Sequence, residues 1–221
     1  MIAIHKQTEP SELLEYRKLS DATYADMPSD VKEKVKESLL KEQGHLCAYC
    51  MRKIDLGTGK KRCTIEHCKP QAFCSEKDRL DYKNMVAVCW GNRDASNNNE
   101  KHCDAKRGSL IGEKQLMNVI DVLQDRTLHG ICYKSDGTIY SDDEKTDEDL
   151  NLRLNLNCES QLLKECRLSA LKTLQKKINE KYPDRTAPKK YFRDLLNFYT
   201  THKENMEPYC GILISWLQKR V

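Results

Sequence analysis

The sequence predicts an α+β fold: a small, cysteine-braced centre of short strands, preceded by an N-terminal strand and helices and followed by a C-terminal helical bundle. Three observations carry that expectation. Two cysteine pairs, Cys47 with Cys50 and Cys89 with Cys103, bracket short β-branched runs; turn residues punctuate the stretch between them; and apolar residues recur at helical spacing on both sides. The divisions fall at residues 1–45, 46–112 and 113–221.

Taken in order, Ile2, Ala3 and Ile4 read as an edge strand, and a helix opened by Pro10 carries Leu13, Leu14 and Tyr16. Asp30 and Glu33 read as a capping box ahead of Val31, Val35 and Leu39, with Gly44 as the stop. Two short strands are expected at 52–55 and 62–66, joined by the turn-rich Leu56-Gly57-Thr58-Gly59-Lys60, so that Glu66 and His67 fall at a strand end. An irregular loop from Pro70 to Lys83 and a buried strand from Met85 to Val88 lead to Cys89. An Asn-rich loop from Asp94 to Glu100 follows, and Lys106, Arg107 and Gly108 fall on or just beyond a short helix. Beyond it, residues 131–133 and 138–140 flank Ser135-Asp136-Gly137 as a hairpin, and the acidic run from Asp142 to Asp149 reads as a solvated loop. Leu162, Cys166, Leu174 and Ile178, widened by Leu163 and Leu171, mark a helix that Pro183 ends. A second opens at Pro188 and runs through Tyr191, Leu195, Phe198 and Tyr199. A third, from Pro208 to Leu217, is nearly all apolar and suits either a bundle interior or a partner's surface.

Composition narrows the class. With 38% hydrophobic and 33% charged residues in 221, the chain reads as globular, without a membrane span or a signal peptide, and its expected compartment is the cytoplasm. Eleven cysteines, an odd number in a chain of this size, suit reduced thiols and one zinc better than a disulfide framework. Cys132, Cys158, Cys166 and Cys210 lie in apolar patterns and read as small buried hydrophobes. A net charge of +4 is far from the dense basic face of a protein that grips duplex DNA by charge alone.

The chemistry concentrates between Leu46 and Gly108. Cys47, Cys50, Cys89 and Cys103 can hold Zn2+ as four thiolates, a common brace for a loop-rich site; His102, Cys63, Cys68 and Cys74 are substitutes for the fourth position. Glu66 beside His67 sets a hard-metal ligand next to a general base, and Asp104 supplies a second carboxylate, a pairing that favours Mg2+ or Mn2+. His102 is the rival to Asp104 in that role. Lys106 and Arg107 are candidates for contact with a phosphate. These are the parts that phosphodiester hydrolysis needs.

The phrases Glu42-Gln43-Gly44-His45-Leu46-Cys47-Ala48-Tyr49-Cys50, Ile65-Glu66-His67-Cys68-Lys69-Pro70 and His102-Cys103-Asp104-Ala105-Lys106-Arg107-Gly108 resemble the HNH (ββα-metal) endonucleases, and more closely the PtuB-type nucleases of Septu and retron anti-phage systems. The opening Met1 to His5, Glu9-Pro10, Tyr16-Arg17 and the Leu-rich tail are similar as well. The resemblance implies a zinc-braced ββα-metal core with His67 as the base that activates water and Asn84 as the middle residue of the motif, fixing the loop or the imidazole. It implies one cation on Glu66 and Asp104, and products ending in 3'-hydroxyl and 5'-phosphate. It also implies a PtuA-type ATPase as partner and, in retron systems, a reverse transcriptase with its RNA–DNA product. Two features depart from the pattern: Asp104 stands where His or Asn is commoner, and the second cysteine pair is spread well beyond C-x-x-C. DNA and RNA, including tRNA, both stay open as substrate. The alternative from another class is a catalytically silent zinc-ribbon adaptor, which would have no need of Glu66, His67, Asn84 and Asp104 in this order.

Overall fold

Two prolines set the N-terminal helices. Their fixed φ and missing N–H suit the boundary where a helix begins, so α1 (Ser11–Tyr16) follows Pro10 and α2 (Ser29–Glu42) follows Pro28. This computed structural model describes residues 1–57, 62–184, 186–202 and 204–221. In α2, Val31, Val35 and Leu39 are buried at the expected helical spacing. The expected capping box does not form, because Pro28 takes the N-cap and Asp30 falls inside the first turn, where a carboxylate still complements the helix dipole. Gly44 and His45, both left-handed at φ +58° and +61°, then turn the chain sharply into the first cysteine knuckle. Ile2–Ile4 forms no strand: Ala3 and Ile4 are buried, and Ile4 makes one backbone bond to the Val122 carbonyl at 2.8 Å.

The centre is an antiparallel hairpin of β1 (Cys63–His67) and β2 (Met85–Cys89), with Cys63 opposite Cys89 and His67 opposite Met85. All of β2 is buried, as its unbroken apolar run requires. The strand expected at 52–55 is reduced to isolated bridges, Leu46 with Lys53 and Asp55 with Arg62; Thr58, Gly59 and Lys60 of the expected turn lie outside the described residues. The β1–β2 connection is not irregular throughout, since it carries α3 (Glu76–Arg79), closed by a Ser75–Asp78 capping box. Next, α4 (Cys103–Arg107) packs on β2. The second hairpin pairs β3 (Cys132–Tyr133) with β4 (Ile139–Tyr140).

The acidic run is a helix, not a solvated loop. Asp143 caps α5 (Glu144–Glu148) by accepting from the Thr146 N–H, and a π-turn continues it over Asp149–Arg153. Asp149 is fully buried, where it accepts from the backbone N–H groups of Asn118, Val119 and Ile120 at 2.8–2.9 Å. Three helices follow: α6 (Leu163–Lys181), α7 (Lys189–Thr201) and α8 (Cys210–Gln218). Among the described residues no helix is long and apolar enough to cross a membrane. All eleven cysteines are free thiols; Cys158 and Cys210 are buried, while Cys132 and Cys166 are half-buried.

The apolar tail is core. Cys210, Ile212, Leu213 and Leu217 of α8 pack with Leu171, Leu174 and Ile178 of α6 and with Leu46 and Met51, which flank the first cysteine knuckle. Backbone bonds from Met206 to the Gly44 carbonyl (3.1 Å) and from Tyr209 to the Met51 carbonyl (2.8 Å) fasten the two together. Removing residues 207–221 strips several fully buried aliphatic side chains, each worth about 2–5 kcal/mol in a packed core, against a total stability of about 5–15 kcal/mol. We therefore expect the truncated chain to aggregate or to lose its cooperative thermal transition; a soluble fragment melting within a few degrees of the full chain would contradict this packing.

Candidate functional site

Two knuckles and a helix end bring four thiols together. Cys47 and Cys50 share a tight turn in which Met51 donates to the Cys47 carbonyl at 3.1 Å and takes φ +61°. After Cys89, Gly91 and Asn92 repeat the left-handed turn at φ +65° and +57°. A Cβ on Gly91 would collide with the His102 carbonyl oxygen, so glycine is required there. Cys103 opens α4 in the left-handed region at φ +54°, a conformation that costs about 1–2 kcal/mol and is held by its N–H on the Leu154 carbonyl at 2.8 Å.

The four sulfurs lie within 4.8 Å of one another, with Cys47 to Cys103 and Cys50 to Cys89 both at 3.8 Å. Metal–sulfur bonds of about 2.3 Å in a tetrahedron give edges of about 3.8 Å, so the set fits Zn2+. All four are buried. Burial works against ionisation of Cys50, but hydrogen bonds from Cys103, Cys47, Cys89 and His102 outweigh it and hold that thiol well below its usual range. Cys103 is pushed well above its range by burial and by the neighbouring thiols. Such a set needs a cation before all its members can be thiolates. Cys63, Cys68 and Cys74 are outside the cluster. His102 is wholly buried beside it, with Nδ1 at 3.2 Å from the Cys103 sulfur, so its side chain serves the thiols and not the position that Asp104 was weighed against.

His67 sits at the other end of β1, four residues and roughly 13 Å of strand from Cys63. Its Nε2 lies 2.8 Å from the Arg79 carbonyl oxygen. A carbonyl only accepts, so Nε2 carries the proton and Nδ1 is left with a bare lone pair, which has no partner among the described residues. Burial lowers the imidazole's pKa, against the opposing pull of the Arg79 carbonyl and of Asp104, which keeps the ring neutral at pH 7. Tyr24 packs edge-on against it with ring centroids 4.6 Å apart. Asn84 fixes the loop that presents the Arg79 carbonyl: its Oδ1 accepts from the Lys69 N–H at 2.8 Å, and its Nδ2 donates to the Asp78 carbonyl at 3.3 Å.

The two carboxylates differ. Asp104 is mostly buried and near enough to His67 to bias its charge; burial raises its pKa, while Arg93, ion-paired to it, and His67 oppose the rise. Its oxygens are of the type a hard cation takes, and Mg2+ commonly uses only one or two carboxylates, with phosphate and water completing the shell. Glu66, expected as the cation's other ligand, is engaged instead by Arg107 in a buried ion pair. Arg107 also donates to the carbonyls of His67 and Cys68, so it clamps the end of β1 and is not free for a phosphate as expected. Lys106 reaches Asn99 Oδ1 at 3.3 Å and keeps partial exposure. Among the described residues, the four cysteines are the single group of three or more candidate ligands gathered within reach of one ion.

Arg107 and Glu66 are 3% and 10% exposed at the side chain, so the pair is not screened by solvent. Arg107→Ala should cost about 3–5 kcal/mol in urea unfolding, because it strands a buried carboxylate. Glu66→Leu with Arg107→Met should recover most of that loss. Equal losses in the single and double variants would refute the assignment.

Tyr24, Arg79, Arg93 and the clamp of Arg107 were not singled out in the sequence. Arg107 alone carried a local signal, its place on the metal-bearing helix, and that signal pointed to the wrong partner. The fold and the site together define a mixed α+β protein, mostly helical, with small antiparallel sheets around a buried four-cysteine cluster consistent with structural zinc. Compared with models of known protein families and with curated protein sequences, the chain matches none.

Proposed function

We propose that this chain is a metal-dependent phosphodiesterase of the HNH type, in which His67 takes the proton of an attacking water. The observation that carries this reading is the hydrogen bonding of His67: its Nε2 lies on a backbone carbonyl, which calls for a neutral ring protonated there, and its Nδ1 has no partner among the described residues. Asp104 would hold Mg2+ or Mn2+ together with phosphate and water oxygens; when bound, the ion supplies charge stabilisation to the phosphate. Asn84 positions the Arg79 segment, and Arg107 positions the strand end. The Nδ1 atom is out of contact with solvent, so substrate reaches it only if side chains packed on the ring, Tyr24 among them, shift as it enters.

With a net charge of only +4, the chain has little general attraction for a polyanion, which supports recruitment by a larger partner, a PtuA-type ATPase on the resemblance already drawn. Because α8 is core, the outer face of α7, where Phe198 is 47% exposed, is the remaining part of the tail suited to docking. In a retron setting the reverse transcriptase and its RNA–DNA product would join the complex.

The second reading, a zinc-braced adaptor without catalysis, is supported by one observation: both candidate carboxylates are already paired with arginines. Incubating the purified protein, alone and with the ATPase, in Mg2+ with labelled plasmid, single-stranded DNA and total RNA separates the two. Cleavage that EDTA abolishes supports the nuclease and identifies its substrate; intact substrates in every arm support the adaptor.

A further inference from the structure

Trp90 directly follows Cys89 of the four-cysteine cluster and is half-buried. Its indole N–H donates to the Asp94 carboxylate at 2.6 Å, which fixes the ring instead of leaving it to choose among rotamers. Two exposed guanidinium groups flank it, Arg62 at 4.7 Å and Arg93 at 5.4 Å from the ring centroid. The ring and Arg62 line an open pocket of about 300 Å³ with Arg52, Asn92 and Gln161, near the lower limit of small-ligand sites. Arg93 also pairs with Asp104, the carboxylate that biases His67. A held aromatic face, flanking cations and an open pocket thus lead, through one arginine, to the candidate catalytic histidine.

We propose that Trp90 is a stacking platform for an unpaired nucleobase, with Arg62 and Arg93 facing the adjoining phosphates, and that the substrate therefore has a single-stranded segment. A base inside a duplex presents only its edges, whereas a flat indole needs a free base face, so the pocket selects against fully paired nucleic acid. The cations account for the half-buried setting of the ring: guanidinium groups stack on indole and hold it until a base and its phosphates replace them. This inference rests on the nuclease reading for its substrate, but it is tested by binding alone.

The experiment uses the full zinc-loaded protein carrying Trp216→Phe, so that fluorescence reports Trp90, with labelled 12-mers of oligo-dT and oligo-U and a duplex of equal length. Both single strands should quench the emission, while the duplex should not. In anisotropy titrations, Trp90→Ala should weaken single-strand binding by about tenfold or more, Trp90→Phe should retain most of it, and duplex binding should be unchanged. Arg62→Ala should flatten the log–log salt dependence by about 0.7, the loss of one phosphate contact. A preference between oligo-U and a matched oligo-dU, which differ only in the 2'-hydroxyl, assigns the sugar. If anisotropy reports bound single strand with no change in Trp90 emission, if Trp90→Ala binds as well as the parent, or if no oligonucleotide binds, the platform is refuted. Quenching and Trp90-dependent binding, with no cleavage even in the presence of the partner ATPase, would leave the platform standing and remove the nuclease; cleavage together with binding indifferent to Trp90 would do the reverse.

Discussion

Stripping the metal from this protein should unfold its centre. Binding of structural zinc is worth about 10–16 kcal/mol in small zinc-dependent folds, as much as the whole stability of a typical domain, at about 5–15 kcal/mol. Here the four thiols tie together two knuckles, the end of β2 and the start of α4, and Cys103 is held in a strained left-handed conformation. Without a cation, the buried set leaves thiols and a fully buried His102 with few partners. Purified protein should contain one zinc per chain by metal analysis. Cys50→Ser should lose the zinc together with the cooperative thermal transition. Metal-free protein with the melting temperature of the loaded form would remove zinc from its structural role.

Replacing His67 should have the largest effect on chemistry. A positioned general base contributes typically 10²–10⁴-fold, so His67→Ala should lower cleavage by at least about 10²-fold. The ring is 1% exposed and packs on Tyr24, so the alanine variant also opens a cavity. His67→Gln is the cleaner comparison, since its amide nitrogen stands where Nε2 did and can still donate to the Arg79 carbonyl but cannot accept a proton from water at neutral pH. Cleavage by His67→Gln at near the parental rate, with zinc content intact, would take the base role away from this residue.

What was legible in the sequence was what local spacing encodes. The cysteine quartet, the face of α2, that of α6 from Leu163 through Leu171, Leu174 and Ile178 (Leu162 is instead its exposed N-cap and Cys166 half-buried), the β3–β4 hairpin and the His67 position at a strand end follow from period, turn residues and ligand spacing. What failed depended on partners far along the chain. Asp149 looked like one more solvated acid because the N–H groups it satisfies belong to residues 118–120. Glu66 looked like a free metal ligand because the arginine that neutralises it lies on α4. The Asp30–Glu33 box matched its pattern but lost to Pro28, whose fixed φ starts the helix earlier. The apolar tail could be read as core or interface with equal right until α6 and the first knuckle were seen to cover it.

That last packing sets an order of events during synthesis. The four candidate zinc ligands are complete once Cys103 has been made, yet Leu46 and Met51 beside the first knuckle wait for Met206 to Leu217, about a hundred residues later, before their apolar faces are covered. At about 5–20 residues per second, the ribosome takes roughly 5–20 s over that interval. During it, a nascent chain could close its metal site while still exposing the sticky surface on the outside of that site. Chains interrupted upstream of residue 206 would therefore enter the cell as zinc-loaded, aggregation-prone fragments and be drawn to chaperones and proteases, so a partial product of this gene is a target for disposal and not a weaker version of the whole.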